Sequence, residues 1–233
     1  LRAEAKGFAP GWSLDLTTSG PDGAPWDFSR HECREKARKL IRETRPFLLV
    51  GSPMCRWFSI LQNLNKGKID PAEWQKGYSQ AVEYIKFVFE LYDMQVRGGR
   101  YFLHEHPASA SSWQLPAVVE FCSRYPHLYA VTAAMCQFGL TTSGEDGSEQ
   151  PALKLTRWLS NSPFLAAALE KRCPRDHTHA PLLSDRAKGA QVYPPALCEA
   201  VVQGFAEQLR ADQSETLEEV EPAPDTPVFN LEL

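Results

Sequence analysis

The stretch Phe47-Leu48-Leu49-Val50-Gly51-Ser52-Pro53-Met54-Cys55-Arg56-Trp57-Phe58-Ser59 decides how this chain folds. Its apolar start, residues 47–50, is short enough for a strand that is buried on both faces. Gly51 and Pro53 then end the strand and force a turn. The turn places Cys55 directly after the strand, where an open α/β sheet holds its functional groups. Two interpretations stay open for this cysteine: a reactive thiol, or a small buried apolar side chain.

A helix and a second strand follow this stretch. Asp70-Pro71-Ala72-Glu73 has the N-cap, the N1 proline and the N3 glutamate of a helix start, and the apolar stripe extends to about Val96. Residues 100–107 then form a strand that ends in the polar cluster Glu105-His106-Pro107. Parallel strands joined by such a crossover would place Cys55 and Glu105 at the same carboxyl edge of one sheet.

The rest of the chain continues this alternation, so the predicted fold class is α/β with a doubly wound, mostly parallel sheet. Further strands are predicted at 11–16, 128–134 and 153–160, and helices at 30–45 (with Ser29 as N-cap), 58–64, 109–125, 162–172 and 195–209. Residues 141–150 are predicted to be a loop. The predicted organisation is an α/β core over 1–140, a mixed α/β extension over 141–210, and an acidic disordered tail over 211–233.

Composition narrows the class of protein. The 233 residues are 43% hydrophobic and 23% charged, with a formal charge of −4, so no overall basic field attracts nucleic acid. Six scattered cysteines without C-x-x-C pairs predict reduced, intracellular thiols, in the nucleus or the cytoplasm. No apolar run reaches the ~20 residues of a membrane span. The start of the chain, with no initiator methionine and no secretory signal, predicts a piece of a longer polypeptide.

Gly51-Ser52-Pro53-Met54-Cys55, followed by Phe58-Ser59, resembles the proline–cysteine loop of DNA cytosine-5 methyltransferases, Gly-x-Pro-Pro-Cys and then Phe-Ser. Glu105-His106-Pro107 looks like the Glu-Asn-Val motif of that family, in the same order and at a similar separation. The chain is also similar to methyltransferase-like segments of transposon-type polyproteins, in which Pro-Pro-Cys, Glu-His-Pro-x-x-x-x-Ser-Trp and Cys-x-x-x-His-x-His recur together. The resemblance covers about residues 7–140.

This resemblance implies a Rossmann-like methyltransferase core, truncated at its N-terminus, that transfers a methyl group from S-adenosylmethionine to cytosine in DNA. It implies that Cys55 adds to C6 of a base flipped out of the duplex, which makes C5 nucleophilic. Glu105 would hold or protonate N3 of the base. Arg157 is the candidate for holding the base oxygen, because it follows the third strand and a loop.

The resemblance also implies cofactor contacts from Asp15, Ser52 and Pro53, with Asp15 at the ribose hydroxyls. The family's glycine-rich loop should precede Asp15 by about 20 residues, and the sequence shows no such loop there. The alternative is therefore a catalytically degenerate domain of a mobile-element polyprotein that binds nucleic acid or a partner. A third hypothesis, a thiol hydrolase, needs His104 or His106 beside Cys55.

Cys173-x-x-x-His177-x-His179 places three metal-ligating side chains in one short loop. Either Cys136 or Cys198 could complete a tetrahedral zinc site. The spacing matches no standard zinc finger, so a polar loop without a metal is the alternative.

Overall fold

The structure, a computed structural model, describes residues 7–9, 11–59, 67, 69–144, 147–182, 190 and 192–219. In chain order its elements are α1 (His31–Thr44), β1 (Leu48–Gly51), α2 (Pro71–Arg97), β2 (Tyr101–Pro107), α3 (Pro116–Arg124), β3 (Tyr129–Ala134), β4 (Thr141–Ser143), β5 (Glu149–Pro151), β6 (Leu155–Ser160), α4 (Pro163–Leu169) and α5 (Pro195–Glu219). Short 3-10 turns cover Arg56–Phe58, Ser111–Gln114 and Met135–Phe138.

A mixed four-stranded sheet with the order β1-β2-β6-β3 forms the centre of the fold. β1 pairs with β2 in parallel, and β6 pairs antiparallel with both β2 and β3. Three of the four strands therefore point in one direction. The predicted parallel pairing of the first two strands is confirmed, and the chain is an α/β protein. β6 belongs to the predicted extension 141–210 yet lies inside the sheet, so the sheet crosses the predicted boundary at residue 140.

Helices cover both faces of this sheet. Successive side chains of β2 point in opposite directions, so the strand contributes apolar side chains to a core on each face. Phe102 packs into a core that contains α2 and α3 residues such as Ile85 and Phe121. Leu103 packs into a second core with α4 and α5 residues such as Leu165 and Leu197. Every residue of β2 except its two ends is buried, as expected for an inner strand of a three-layer arrangement.

α2 forms where its start and stop residues predict it. The Asp70 carboxylate accepts hydrogen bonds from the backbone N–H groups of Ala72 and Glu73, at 2.9 and 3.0 Å, which satisfies two of the free donors at the helix start. The helix ends at Arg97, and Gly99 turns the chain with a φ of +64° that favours glycine. The predicted helix 71–96 is confirmed.

β1 is less buried than its apolar sequence predicts. Among the described strands it lies at one edge of the sheet, with β2 as its hydrogen-bonded neighbour. Val50 is 48% exposed, and Phe47, just before the strand, is 69% exposed. The prediction of a strand buried on both faces is wrong, since strand order, which the local sequence does not encode, decides which strand lies at an edge.

Several local predictions also differ from the structure. Residues 11–16 form no strand but an exposed turn, and the N-cap of α1 is Arg30 instead of Ser29. The segment 109–125 divides into a 3-10 turn and α3, since Pro116 disfavours a helical conformation at the residue before it. The predicted loop 141–150 contains the β4–β5 hairpin. The helix predicted at 58–64 falls largely outside the described residues.

α5 is longer than predicted and enters the acidic segment that was expected to be disordered. It continues to Glu219. The Tyr101 hydroxyl donates to the Asp212 carboxylate at 2.8 Å, and the Ser162 hydroxyl donates to Gln208 at 2.7 Å, so the later turns of the helix are held against the sheet. The remainder of the predicted tail, 220–233, lies outside the described residues. None of the helices in the described part of the chain has both the length and the apolar character needed to cross a bilayer.

Candidate functional site

The ends of β1 and β2 bring the predicted thiol and carboxylate to one edge of the sheet. Gly51 lies opposite His104 in the parallel register, so Ser52 reaches the level of Glu105. The Ser52 hydroxyl donates a 2.6 Å hydrogen bond to Oε2 of Glu105. Cys55 follows three residues later at the start of the 3-10 turn, near enough for the Glu105 charge to act on its thiol. The predicted meeting of Cys55 and Glu105 is confirmed.

Glu105 is an unusual carboxylate because it is only 5% exposed and its two oxygens differ. Oε2 accepts from Ser52, whereas Oε1 is buried and has no hydrogen-bond partner among the described residues. The nearest cation among the described residues is Lys154, whose Nζ lies 4.0 Å from Oε1 and donates to the carbonyl of Ala190 at 3.2 Å. Buried polar atoms are nearly always paired, so this oxygen is a candidate for contact with a ligand.

Tyr193 extends this polar group towards the surface. Its hydroxyl donates to the Ser52 oxygen at 2.8 Å, so a chain of donors runs from Tyr193 through Ser52 to Glu105. Burial and the negative charge of Glu105 raise the pKa of the Tyr193 hydroxyl, which therefore stays protonated and keeps donating at neutral pH. The ring of Tyr193 packs against Trp158 at a centroid distance of 6.2 Å.

The thiol of Cys55 is held in its neutral form. Burial raises the pKa of this thiol first, and the Glu105 charge raises it further, while Lys154 acts in the opposite direction. A ligand that neutralises Glu105 would remove one of the two effects that oppose thiolate formation. All six cysteines of the chain are free thiols.

The two histidines of β2 point away from Glu105, into the core shared with α2. Nδ1 of His104 lies 3.0 Å from the Tyr92 hydroxyl, and Nδ1 of His106 lies 2.6 Å from the Ser112 hydroxyl. Burial lowers the pKa of His104 well below its usual value and that of His106 to about 4, although the carbonyls of Pro53 and Met54 favour protonation of the latter. No hydrogen bond joins a histidine to Cys55 in the described part of the chain, which argues against the thiol hydrolase.

Arg157 is not at this site. It lies opposite His106 in the β2–β6 register and so occupies the other face of the sheet from Glu105. Its guanidinium lies 4.8 Å from the centroid of the Trp113 ring, and both residues line a cavity of about 210 Å³ against α3. The structure does not place Arg157 where it could hold the same base as Glu105, and among the described residues Lys154 is the cation nearest to this carboxylate.

The three residues predicted to contact S-adenosylmethionine, Asp15, Ser52 and Pro53, lie in two different parts of the fold. Ser52 belongs to the carboxylate site, and Pro53 follows it in the same loop. Asp15 lies in the exposed turn and not at a strand end. Its Oδ1 accepts from the backbone and hydroxyl of Thr17 at 2.8 and 2.7 Å, which lowers the pKa of this carboxyl. Asp15 therefore does not lie at the end of a strand, where the resemblance places the contact to the ribose hydroxyls.

A second group of side chains could hold a metal ion. The ligand atoms of Cys136, Cys173, His177 and His179 all lie within 4.8 Å of one another. The sequence left the fourth ligand open between Cys136 and Cys198, and the structure brings Cys136 to the cluster.

Sequence reasoning missed Lys154 and Tyr193. Lys154 directly precedes β6, and because β6 is antiparallel its start lies at the edge where β1 and β2 end. A correct strand direction for β6 would have pointed to Lys154. Tyr193 precedes the Pro194-Pro195 start of α5, and no local pattern marks it as a site residue.

Searches against models of protein families, against curated proteins and against solved structures each found no match.

Proposed function

We propose that this chain is a DNA cytosine-5 methyltransferase-like domain, whose described residues hold the part of the site that binds and activates the base. Cys55 is the nucleophile that adds to C6 of cytosine, and Glu105 holds the same base. The observation that supports this proposal best is the buried Oε1 of Glu105, which has no hydrogen-bond partner among the described residues and lies at the same sheet edge as the thiol.

The polar groups of the site suit the edge of a cytosine. The N4 amino group of cytosine is a donor, and Oε1 of Glu105 offers the acceptor. A proton shared between Glu105 and N3 would stabilise the base as the thiolate adds, and would reduce the negative charge that raises the Cys55 pKa. Lys154 supplies the positive charge beside this pair that the resemblance assigned to Arg157.

Exchange of the hydrogen at C5 of cytosine needs no methyl donor. The Cys55 thiol gives its proton to Glu105, its sulfur electron pair forms a bond to C6, the C5–C6 double bond opens, and N3 takes the proton from Glu105. C5, now enamine-like, takes a proton from water as N3 returns its proton to Glu105. The hydroxide left by that water removes the original C5 hydrogen, the C5–C6 double bond forms again, and the departing thiolate takes its proton back from Glu105.

The test is hydrogen exchange at C5 of a duplex that carries tritium at this position. We expect the wild-type protein to release tritium into water, and C55A to lower the rate by about 100-fold or more. C122A is the matched control, because Cys122 is a half-buried thiol that lines the cavity on the other face of the sheet. No release by folded wild-type protein, or equal release by C55A, would overturn the proposal.

The second candidate is the catalytically degenerate domain of a mobile-element polyprotein, which binds nucleic acid or a partner without catalysis. The raised pKa of Cys55 favours it, because a protonated thiol is a weak nucleophile. It predicts that the duplex binds and that no tritium is released. In either case we propose DNA as the partner, within a longer polyprotein and inside the cell, in the nucleus or the cytoplasm.

A further inference from the structure

We propose that Cys136, Cys173, His177 and His179 bind one structural Zn²⁺ ion. Cys136 lies in the 3-10 turn that follows β3, and the other three residues lie in the loop that follows α4. All four side chains are half-buried, and their ligand atoms face one another. Two thiols and two imidazoles are a common ligand set of structural zinc sites, although the spacing here is not that of a zinc finger.

The distances within the cluster suit a tetrahedral ion. Zn–S bonds of about 2.3 Å and Zn–N bonds of about 2.0–2.1 Å, at the tetrahedral angle, place sulfur and nitrogen about 3.6 Å apart. Sγ of Cys173 lies 3.7 Å from Nε2 of His177 and 3.5 Å from Nε2 of His179. Both imidazoles thus direct Nε2 at Sγ of Cys173, and each nitrogen–sulfur distance is the one expected for two ligands of the same zinc ion.

The hydrogen bonds around the cluster direct lone pairs towards its centre. Nδ1 of His177 lies 2.7 Å from the Asp176 carboxylate, which holds the ring proton on Nδ1 and leaves the Nε2 lone pair facing Cys173. The backbone N–H of Arg175 donates to the Cys173 sulfur at 3.3 Å, as it would to a thiolate. The single thiol proton of Cys173 cannot form a hydrogen bond to both imidazole nitrogens at once. One cation would bind the sulfur and both nitrogen lone pairs together.

The position of the cluster indicates a structural role. Four protein ligands leave no open coordination position for a substrate. The backbone N–H of Met135, next to Cys136, donates to the Lys154 carbonyl at 3.0 Å, and Ala180, next to His179, pairs with Ala152. A zinc ion would therefore join the loop after α4 to the turn that follows β3. Both of these segments pair with the stretch that carries Ala152 and Lys154.

Metal analysis of the purified chain tests the proposal. We expect about one zinc per chain, and a cobalt-substituted protein with the absorption of tetrahedral Co²⁺ bound by thiolates. C136S, C173S and H179A should each reduce bound zinc at least tenfold, measured against a competing chelator after metal removal. C198S is the matched control, since Cys198 was the other sequence candidate for the fourth ligand, and it should keep full zinc.

D176N gives a readout that does not depend on losing a ligand. Asp176 orients His177, so the variant should keep one zinc per chain but bind it about 10-fold more weakly. If a variant fails to fold, titration of zinc into metal-free wild-type protein still decides the question. A wild-type chain that takes up no zinc, or a C198S variant that loses it while C136S keeps it, would overturn the proposal. Neither result bears on tritium exchange at cytosine, so the two proposals fail separately.

Discussion

The two faces of β2 carry neighbouring polar residues with opposite roles. On one face, Nδ1 of His104 and Nδ1 of His106 each have a hydroxyl partner, from Tyr92 and Ser112, while Nε2 of His106 has no hydrogen-bond partner among the described residues. On the other face, Oε1 of Glu105 also has no hydrogen-bond partner among the described residues, but it lies 4.0 Å from Lys154 at the edge where Ser52 and Cys55 lie. The histidines face aromatic rings, whereas Glu105 lies near a cation and a thiol, and this difference in neighbours is why we place the ligand site at Glu105.

The largest expected effect is on stability, from H104A. Removal of a side chain that is 1% exposed leaves a cavity and an unpaired Tyr92 hydroxyl, so we expect unfolding to require about 4 kcal/mol less. Urea denaturation followed by fluorescence measures this change. Y92F, which removes only the hydroxyl and keeps the ring, should lose about 1–2 kcal/mol. A cost for H104A below that of Y92F would contradict the structural role of His104.

E105Q should have the opposite effect to H104A, with little change in stability and a large loss of tritium exchange. The glutamine keeps the size of the side chain but removes the buried charge, so the free energy of unfolding should change by less than about 1 kcal/mol. We expect tritium exchange to fall by about 100-fold, because the amide cannot share a proton with N3. Loss of stability as large as that of H104A, with exchange preserved, would show that Glu105 belongs with the structural histidines.

The third prediction concerns pH. Burial lowers the folded-state pKa of His106 to about 4, so below pH 6.5 the unfolded chain binds a proton that the folded chain does not. Stability is therefore fully present above about pH 6.5 and is lost as pH falls towards 4, by about 2 kcal/mol between pH 7 and pH 5. Denaturation of wild-type and H106Q proteins at both pH values measures this. An equal pH dependence in the two proteins would show that His106 does not titrate in this way.

The smallest effect is expected for Y193F. Loss of the hydroxyl frees Ser52 to rotate away from Glu105, while the ring still packs against Trp158. We expect tritium exchange to fall about tenfold, which corresponds to one hydrogen bond, with stability within about 1 kcal/mol of wild type. Exchange as slow as that of E105Q would mean that Tyr193 contacts the base itself.

At the carboxyl edge of the sheet, the sequence was sufficient to place Cys55 and Glu105 but not Arg157. The order of strand, helix and strand, with the caps of α2, was sufficient to predict that Cys55 and Glu105 meet at one edge, because a crossover between parallel strands brings both carboxyl ends there. Arg157 was assigned to the same site, but its register opposite His106 puts it on the other face. A shift of one residue in register reverses the face of every side chain, and no tight turn connects β2 to β6 to fix their register.

The sequence by itself determined the α/β class, the starts and ends of the longest helix, the thiol after β1 and three of the four side chains of the Cys/His cluster. These depend on hydrophobic periodicity, capping and turn residues, which act over a few neighbouring positions. Only the tertiary structure decided that β1 lies at an edge, that β6 lies between β2 and β3, and that Lys154, Tyr193 and Cys136 join their clusters. Each of these depends on contacts between residues far apart in the chain, whose pairing is determined by packing of the whole domain.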